Sequence, residues 1–199
     1  TSFVVYVNPL PQPNVQPTKM DGCVPLCIDF QSGSSPQAVS VGWNFGNGLT
    51  ASGGPLNFCF RTAGTYSITT TIVDINGCKS VRTAPFVITA FPRPGPDFTW
   101  EPTEVSFIDN VANFTSTSQS GSIVAQYWDF GDWTNNPSTN SSTIKNPTHE
   151  YSAIGYYPVT IVQTNAWGCT DTLIKVLNVI EDFTMYIPNA FTPNGDGFN

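Results

Sequence analysis

The chain has 199 residues, with 17 prolines, 16 glycines and a net charge of −7. That length holds one large domain or two small ones, and an acidic chain with 11% charged residues argues against nucleic acid or anionic membrane as a partner. Frequent Gly, Pro, Ser, Thr and Asn suit short strands and turns, and no segment sustains a 3.6-residue apolar period, so an all-β chain is expected.

Residues 1–8 read as a strand, and Pro9, Pro11 and Pro13 follow at alternate positions, so 9–17 reads as a stiff Pro-rich linker. The run Phe86-Val87-Ile88-Thr89-Ala90-Phe91 followed by Pro92, Pro94 and Pro96 repeats that pattern. The opening strand is therefore read as the last strand of a preceding copy, and the chain as a piece of something longer. Residues 91–96 form the second linker.

Between and after the linkers lie two copies of one pattern, 18–90 and 97–180. In the first, Val39, Val41, Trp43 and Phe45 alternate with Ala38, Ser40, Gly42 and Asn44, the period of a strand with one buried face. The Gly and Asn residues that follow supply the positive φ and side-chain bonds of a hairpin turn. In the second, Trp128 and Phe130 play the same part ahead of Gly131-Asp132-Trp133. The strands Tyr66 and Tyr157 open, and Gly77-Cys78 and Gly168-Cys169, correspond at a common offset of 91 residues, 64 to 155 and 78 to 169. Pro25…Phe30 is matched to Pro102…Phe107, and Phe60 to Tyr151. Expected strands are 24–30, 38–45, 56–60, 65–74 and 81–89 in the first copy. In the second they are 104–109, 123–130, 149–152, 157–165 and 171–179.

Five cysteines without a CxxC, and a single His, point to disulfides and not to zinc. Cys23–Cys78 and Cys27–Cys59 are the expected bridges. Cys169 is left without a partner, because Trp100 stands where the first copy has Cys23. Such bridges imply an oxidising, extracellular setting.

The Trp-Asp-Phe-Gly-Asp stretch from Trp128, the segment Asn146-Pro147-Thr148-His149-Glu150-Tyr151, the Gly-x-Tyr strand and the terminal Gly-Cys together resemble the PKD domain. The resemblance implies two immunoglobulin-like β-sandwiches in tandem, with Tyr66 and Tyr157 at tyrosine corners. The first copy departs from it at Asn44, Asn47 and Phe58. The tail, with Ile187, Pro188, Asn189, Ala190, Phe191, Thr192, Pro193, Asn194, Gly195, Asp196 and Gly197, matches neither copy. It resembles the opening of the gliding-motility-associated C-terminal domain of Bacteroidetes surface proteins, an incomplete C-terminal β segment at 181–199. That likeness implies a type IX sorting signal, outer-membrane export machinery as partner, and a cell-surface or secreted protein.

Candidate chemistry is sparse. Asp129 and Asp132 form a carboxylate pair, but Asn44 and Asn47 hold their places in the first copy, so turn-shaping is the expected role. His149 has Phe58 as its counterpart and no Ser or Cys constellation beside it. Asn194 to Gly197 has the look of part of a calcium loop without its later acidic ligands, so calcium stays a minor alternative to no cofactor. Trp133, Trp167, Tyr127 and Tyr156 are candidates for an exposed platform that stacks on surface glycans. The expected role is a non-catalytic stalk and export-signal region of a gliding-motility adhesin, joined to neighbouring repeats of its own kind. The alternatives are a spacer in a secreted hydrolase or a carbohydrate-binding module.

Overall fold

The computed structural model describes residues 2–35, 38–118, 122–133 and 139–182. All regular structure among them is β. The first sandwich joins two sheets. One has the order β1 (Gln12–Pro17), β3 (Leu26–Ser35), β6 (Leu56–Phe60). The other runs β2 (Asp21–Cys23), β8 (Lys79–Phe91), β7 (Gly64–Asp74), β4 (Ala38–Asn44), β5 (Thr50–Ser52). The second repeats this plan. A three-stranded sheet has the order β14 (Thr148–Glu150), β11 (Val111–Ser116), β9 (Phe98–Glu101). A five-stranded sheet runs β10 (Val105–Ser106), β16 (Thr170–Ile180), β15 (Gly155–Asn165), β12 (Ile123–Asp129), β13 (Ser141–Ser142). By compactness the chain divides into two units. The first gathers Thr1–Pro96, Ser118–Gln126 and Val162–Thr172, and the second Asp97–Thr117, Tyr127–Ile161 and the strand residues from Leu173 on.

Each core follows from strand alternation. In the first unit Leu26, Ile28 and Phe30 pack in one cluster with Trp43, Phe45, Phe60, Ile68 and Ile88, all essentially excluded from solvent. In the second, Phe98, Phe114, Trp128, Phe130 and Tyr151 do the same with Val159, Ile161 and Leu177. Both indoles satisfy their N–H, Trp43 Nε1 to Gly53 O and Trp128 Nε1 to Ile144 O, each at 3.1 Å. Both tyrosine corners form: Tyr66 Oη donates to Thr62 O and Tyr157 Oη to Ala153 O, each at 2.7 Å.

Four expectations need correction. Residues 2–8 make no strand, and Phe3 to Val7 are exposed, since no ladder partner lies beside them among the described residues. The Pro-rich stretch is not all linker, because β1 pairs with β3 from Gln12↔Ser35 to Pro17↔Phe30. It is an edge strand, where missing proline donors are tolerated. The expected strand 104–109 shrinks to the two-residue β10, and Phe107 and Ile108 are exposed. The matching of Pro102…Phe107 to Pro25…Phe30 also fails. Ile28 pairs with Phe58 and Ala112 with His149, so the counterpart of β3 is β11, unforeseen from the sequence, with Phe114 in the place of Phe30.

The hairpin glycines carry a firm requirement. Gly131 has φ +71°, and a Cβ there would lie 2.7 Å from Pro158 Cδ and 2.9 Å from its backbone N and O. Gly46 has φ +76° and a Cβ site 2.7 Å from Ser67 O. Gly131→Ala is therefore expected to cost roughly 2 kcal/mol or more, from the unfavourable φ and a clash with fixed backbone. The check is a urea melt against Gly48→Ala, whose φ is +85° but whose Cβ would meet nothing within 4 Å. Equal losses would show that packing at Gly131 contributes nothing.

Candidate functional site

The polar side chains gathered behind the second hairpin are Asp129, Asp132, Asn140 and His149. Asp129 Oδ1 accepts from Gly131 N at 2.9 Å, and Asn44 Oδ1 accepts from Gly46 N at the same distance in the first copy. Asp and Asn thus perform one turn-closing task. Position 132 departs from this parallel. Asn47 is exposed and closes its own turn onto Leu49 N, whereas Asp132 is completely buried. Asn140 holds the segment down. Its Oδ1 accepts from Asp132 N at 2.7 Å, and its Nδ2 donates to Asp129 Oδ1 at 3.2 Å.

His149 Nε2 lies 3.3 Å from Asp132 Oδ2. The imidazole stacks on Phe130 (centroids 4.4 Å apart) and meets the Tyr151 ring edge-on at 4.6 Å. In the first copy Phe58 stacks on Phe45 at the same place. His149 is therefore a core side chain with a buried polar contact to Asp132. Burial pushes its pKa below the usual histidine value, and the Asp132 carboxylate opposes that shift without reversing it. At neutral pH the ring is uncharged, and its Nε2–H donates to the carboxylate. Burial also holds the Tyr151 phenol protonated at any ordinary pH.

A group with a folded pKa below its unfolded value of about 6.5 makes the unfolded chain the better proton binder. His149 thus contributes stability that is complete above about pH 6.5 and declines as pH falls below it. Urea midpoints of the wild type are expected to drop on acidification through this window, with a smaller drop for His149→Phe. Identical pH profiles would remove the buried histidine from the account. Replacing the ring also removes one hydrogen-bond contact of the buried Asp132 carboxylate, so His149→Phe alone is expected to lose about 2 kcal/mol at pH 7.

Sequence reasoning placed Trp43, Phe45, Trp128 and Phe130 in the core, and they are there. The platform candidates Trp133, Tyr156 and Tyr127 are exposed in the second unit. Trp167, in the first unit, stacks on Phe91 with planes 12° apart, which accounts for that ring as packing. Trp133 is not among the residues lining the depression of about 620 Å³ beside His149, whose walls include Phe130, Ile144, Pro147, Glu150 and several Ser and Thr residues. No group of three His, Cys, Asp or Glu that could hold a metal occurs among the described residues. Ile187 to Gly197, the export segment, lie outside the described residues.

Of the two expected bridges, Cys27–Cys59 forms and Cys23–Cys78 does not. Cys27 and Cys59 are bonded and face each other in the β3–β6 ladder. Cys23 is bonded to Cys169 within the first unit, and Cys78 is the free thiol. The turn carrying Cys169 meets the segment 91–93 beside Cys23, and the turn carrying Cys78 does not. Sequence reasoning also missed Asn165. Its Oδ1 accepts from Trp167 N and Cys169 N at 3.1 and 3.0 Å, and its Nδ2 donates to Pro92 O at 2.9 Å. Asp74 and Asn165 standing four residues before each Gly-Cys cysteine was the available signal.

Comparison with known proteins finds collagenase ColA of Clostridium perfringens 32% identical over 92 residues, 45% of this chain and 8% of that enzyme. The chain thus spans under a tenth of that relative's length. The PKD1 domain of Vibrio anguillarum Epp aligns at 23% identity over 43% of this chain and all of its own, with a TM-score of 0.36. Fibronectin(III)-like modules of Clostridium thermocellum CbhA align at 11% identity over 88% of this chain and 100% of theirs, also at 0.36. The PKD domain family matches residues 8–90 and 94–179. The chain belongs to the PKD-domain family, with two copies of the domain in tandem.

Proposed function

We propose that this chain is a non-catalytic stalk and export-signal region of a large cell-surface protein, a gliding-motility adhesin carried across the outer membrane by the type IX system. The observation that supports the stalk is the Cys23–Cys169 bond, which ties residues 146 apart across the two tandem copies of one domain. Two disulfides favour an oxidising, extracellular compartment. The acid–base candidates favour a structural role: Asp132 and His149 are buried against each other. The export role rests on the resemblance carried by Ile187 to Gly197, with the outer-membrane machinery as partner.

The test is removal of residues 187 onward from the full-length protein. The truncated form is expected to accumulate inside the outer membrane, shielded from added protease. Undiminished surface display would refute the export role. A second reading, a spacer in a secreted hydrolase, is favoured by the match to a small part of a collagenase. It requires a hydrolytic activity in the full-length protein that survives deletion of both sandwiches. Glycan binding, the third possibility, requires Trp133→Ala to abolish retention on immobilised polysaccharide.

A further inference from the structure

The turn Asn165–Cys169 is engaged on every side within the first unit. Its cysteine is bonded to Cys23, Asn165 Nδ2 donates to Pro92 O, and Trp167 stacks on Phe91. Arg93 completes the junction, donating from Nε to Val24 O at 2.7 Å and from Nη1 to Thr170 O at 3.0 Å.

The turn Asp74–Cys78, 91 residues earlier, is built the same way. Asp74 N donates to Cys78 O and Gly77 N to Asp74 O, as Asn165 N does to Cys169 O and Gly168 N to Asn165 O. Asp74 Oδ1 accepts from Asn76 N at 2.9 Å and from Cys78 N at 2.8 Å, the two bonds that Asn165 Oδ1 makes. Among the described residues the contacts that engage the later turn have no counterpart here. Asp74 is 1% exposed, yet its Oδ2 is buried without a hydrogen-bond partner. Cys78 is a free thiol and Ile75 is 79% exposed. An unpaired buried carboxylate oxygen is costly, and the cost is removed only when a donor reaches it.

We propose that the Asp74–Cys78 turn is the receiving half of a further junction, whose occupant is another sandwich of this family earlier in the same polypeptide. That occupant carries a cysteine at the place of Cys23, which bonds Cys78, and an N–H donor that reaches Asp74 Oδ2. The segment feeding the first sandwich agrees. Phe3-Val4-Val5 followed by Pro9 and Pro11 echoes Phe86-Val87-Ile88 followed by Pro92 and Pro94, and Phe3 to Val7 present apolar side chains to solvent. In forming the bond each thiol loses a hydrogen. Two electrons and two protons pass to a protein or small-molecule disulfide of the oxidising compartment, which leaves as two thiols. Cys23–Cys169 needs the same class of oxidant. Repeat two has no cysteine at the corresponding place, so the series of bridges ends at Cys169.

The inference rests on the tandem-stalk reading but not on the export signal. The test takes the full-length protein from its oxidising compartment, blocks free thiols with N-ethylmaleimide, and maps its peptides without reduction. The expected result is a Cys78 peptide bonded to one that precedes Thr1, and in Cys78→Ser the partner cysteine takes the label instead. Three outcomes overturn the proposal: Cys78 labelled as a free thiol, Cys78 bonded to its copy in a second chain, or Cys78 capped by a small thiol. If sandwiches precede Thr1 and Cys78 is nonetheless labelled, only the junction fails. If none precedes it, the tandem-stalk reading fails as well.

Discussion

Trp128→Ala is expected to lower the stability of the second sandwich by about 4 kcal/mol, and Trp133→Ala to change it by less than about 0.5 kcal/mol. Trp128 is fully buried, with Phe98 edge-on at 5.1 Å and Phe114 at 5.6 Å. Truncation leaves a void that these rings fill only in part, and it deletes the bond from Nε1 to Ile144 O. A domain of this size has roughly 5–15 kcal/mol of stability in all, so the loss leaves little. Trp133, five positions on, is 79% exposed and has few neighbours to lose. The measurement is a urea melt of the oxidised protein, with Trp128→Phe as a graded control that removes the bond and only part of the volume. Equal losses from Trp128→Ala and Trp133→Ala would place the core elsewhere.

What the sequence disclosed, and what it hid, has a physical pattern. The hairpin strands were legible because Trp43, Phe45, Trp128 and Phe130 fall at a spacing of two on one face, ahead of a glycine that the turn requires. β7 and β15 were legible for the same reason, with a buried residue at every second position. β11 was not, because only Ala112 and Phe114 face inward, and a small residue followed by an aromatic is a weak alternation. The more apolar run at Phe107 and Ile108 attracted the assignment, although Ser106 N and Asp109 O close a turn there and leave both side chains exposed. β1 was hidden by its prolines, which suit a linker and an edge strand equally well.

The site was legible as a list of residues but not as an arrangement. Positions 47 and 132 read alike, each three residues past the Asn or Asp inside a Trp-x-Phe pattern. The difference lies in the course of the chain beyond them. Asn140 accepts from the backbone N of Asp132, whose side chain is fully buried, while the first hairpin returns at once through Leu49. Burial then favours donors around the carboxylate, and the ring that fills the place of Phe58 lies within hydrogen-bond distance of it. Cysteine pairing was hidden for a related reason. Cys78 and Cys169 occupy equivalent turns, and only the position of residues 91–93 beside the second turn decides between them.

The two disulfides are expected to report differently when removed in pairs. Cys27→Ser with Cys59→Ser opens a loop of 32 residues confined to the first sandwich, and Cys23→Ser with Cys169→Ser opens one of 146. In the chain-entropy model the shorter loop contributes about 4 kcal/mol and the longer about 5 kcal/mol, so size alone barely separates them. Location does. Cys27 and Cys59 join adjacent strands, so their loss lowers the midpoint of the first sandwich and leaves the second where it was. The longer loop contains most of the first copy's chain and most of the second's. Its tether therefore limits the freedom of either copy when that copy unfolds, and its loss is expected to lower both midpoints. Trp43 and Trp128 give each sandwich its own fluorescent reporter once the other indoles are replaced by Phe. A shift confined to one sandwich after Cys23→Ser with Cys169→Ser would mean that the bond only decorates the first unit. Shifts in both would mean that it couples the two copies as they unfold, the property a stalk under tension requires.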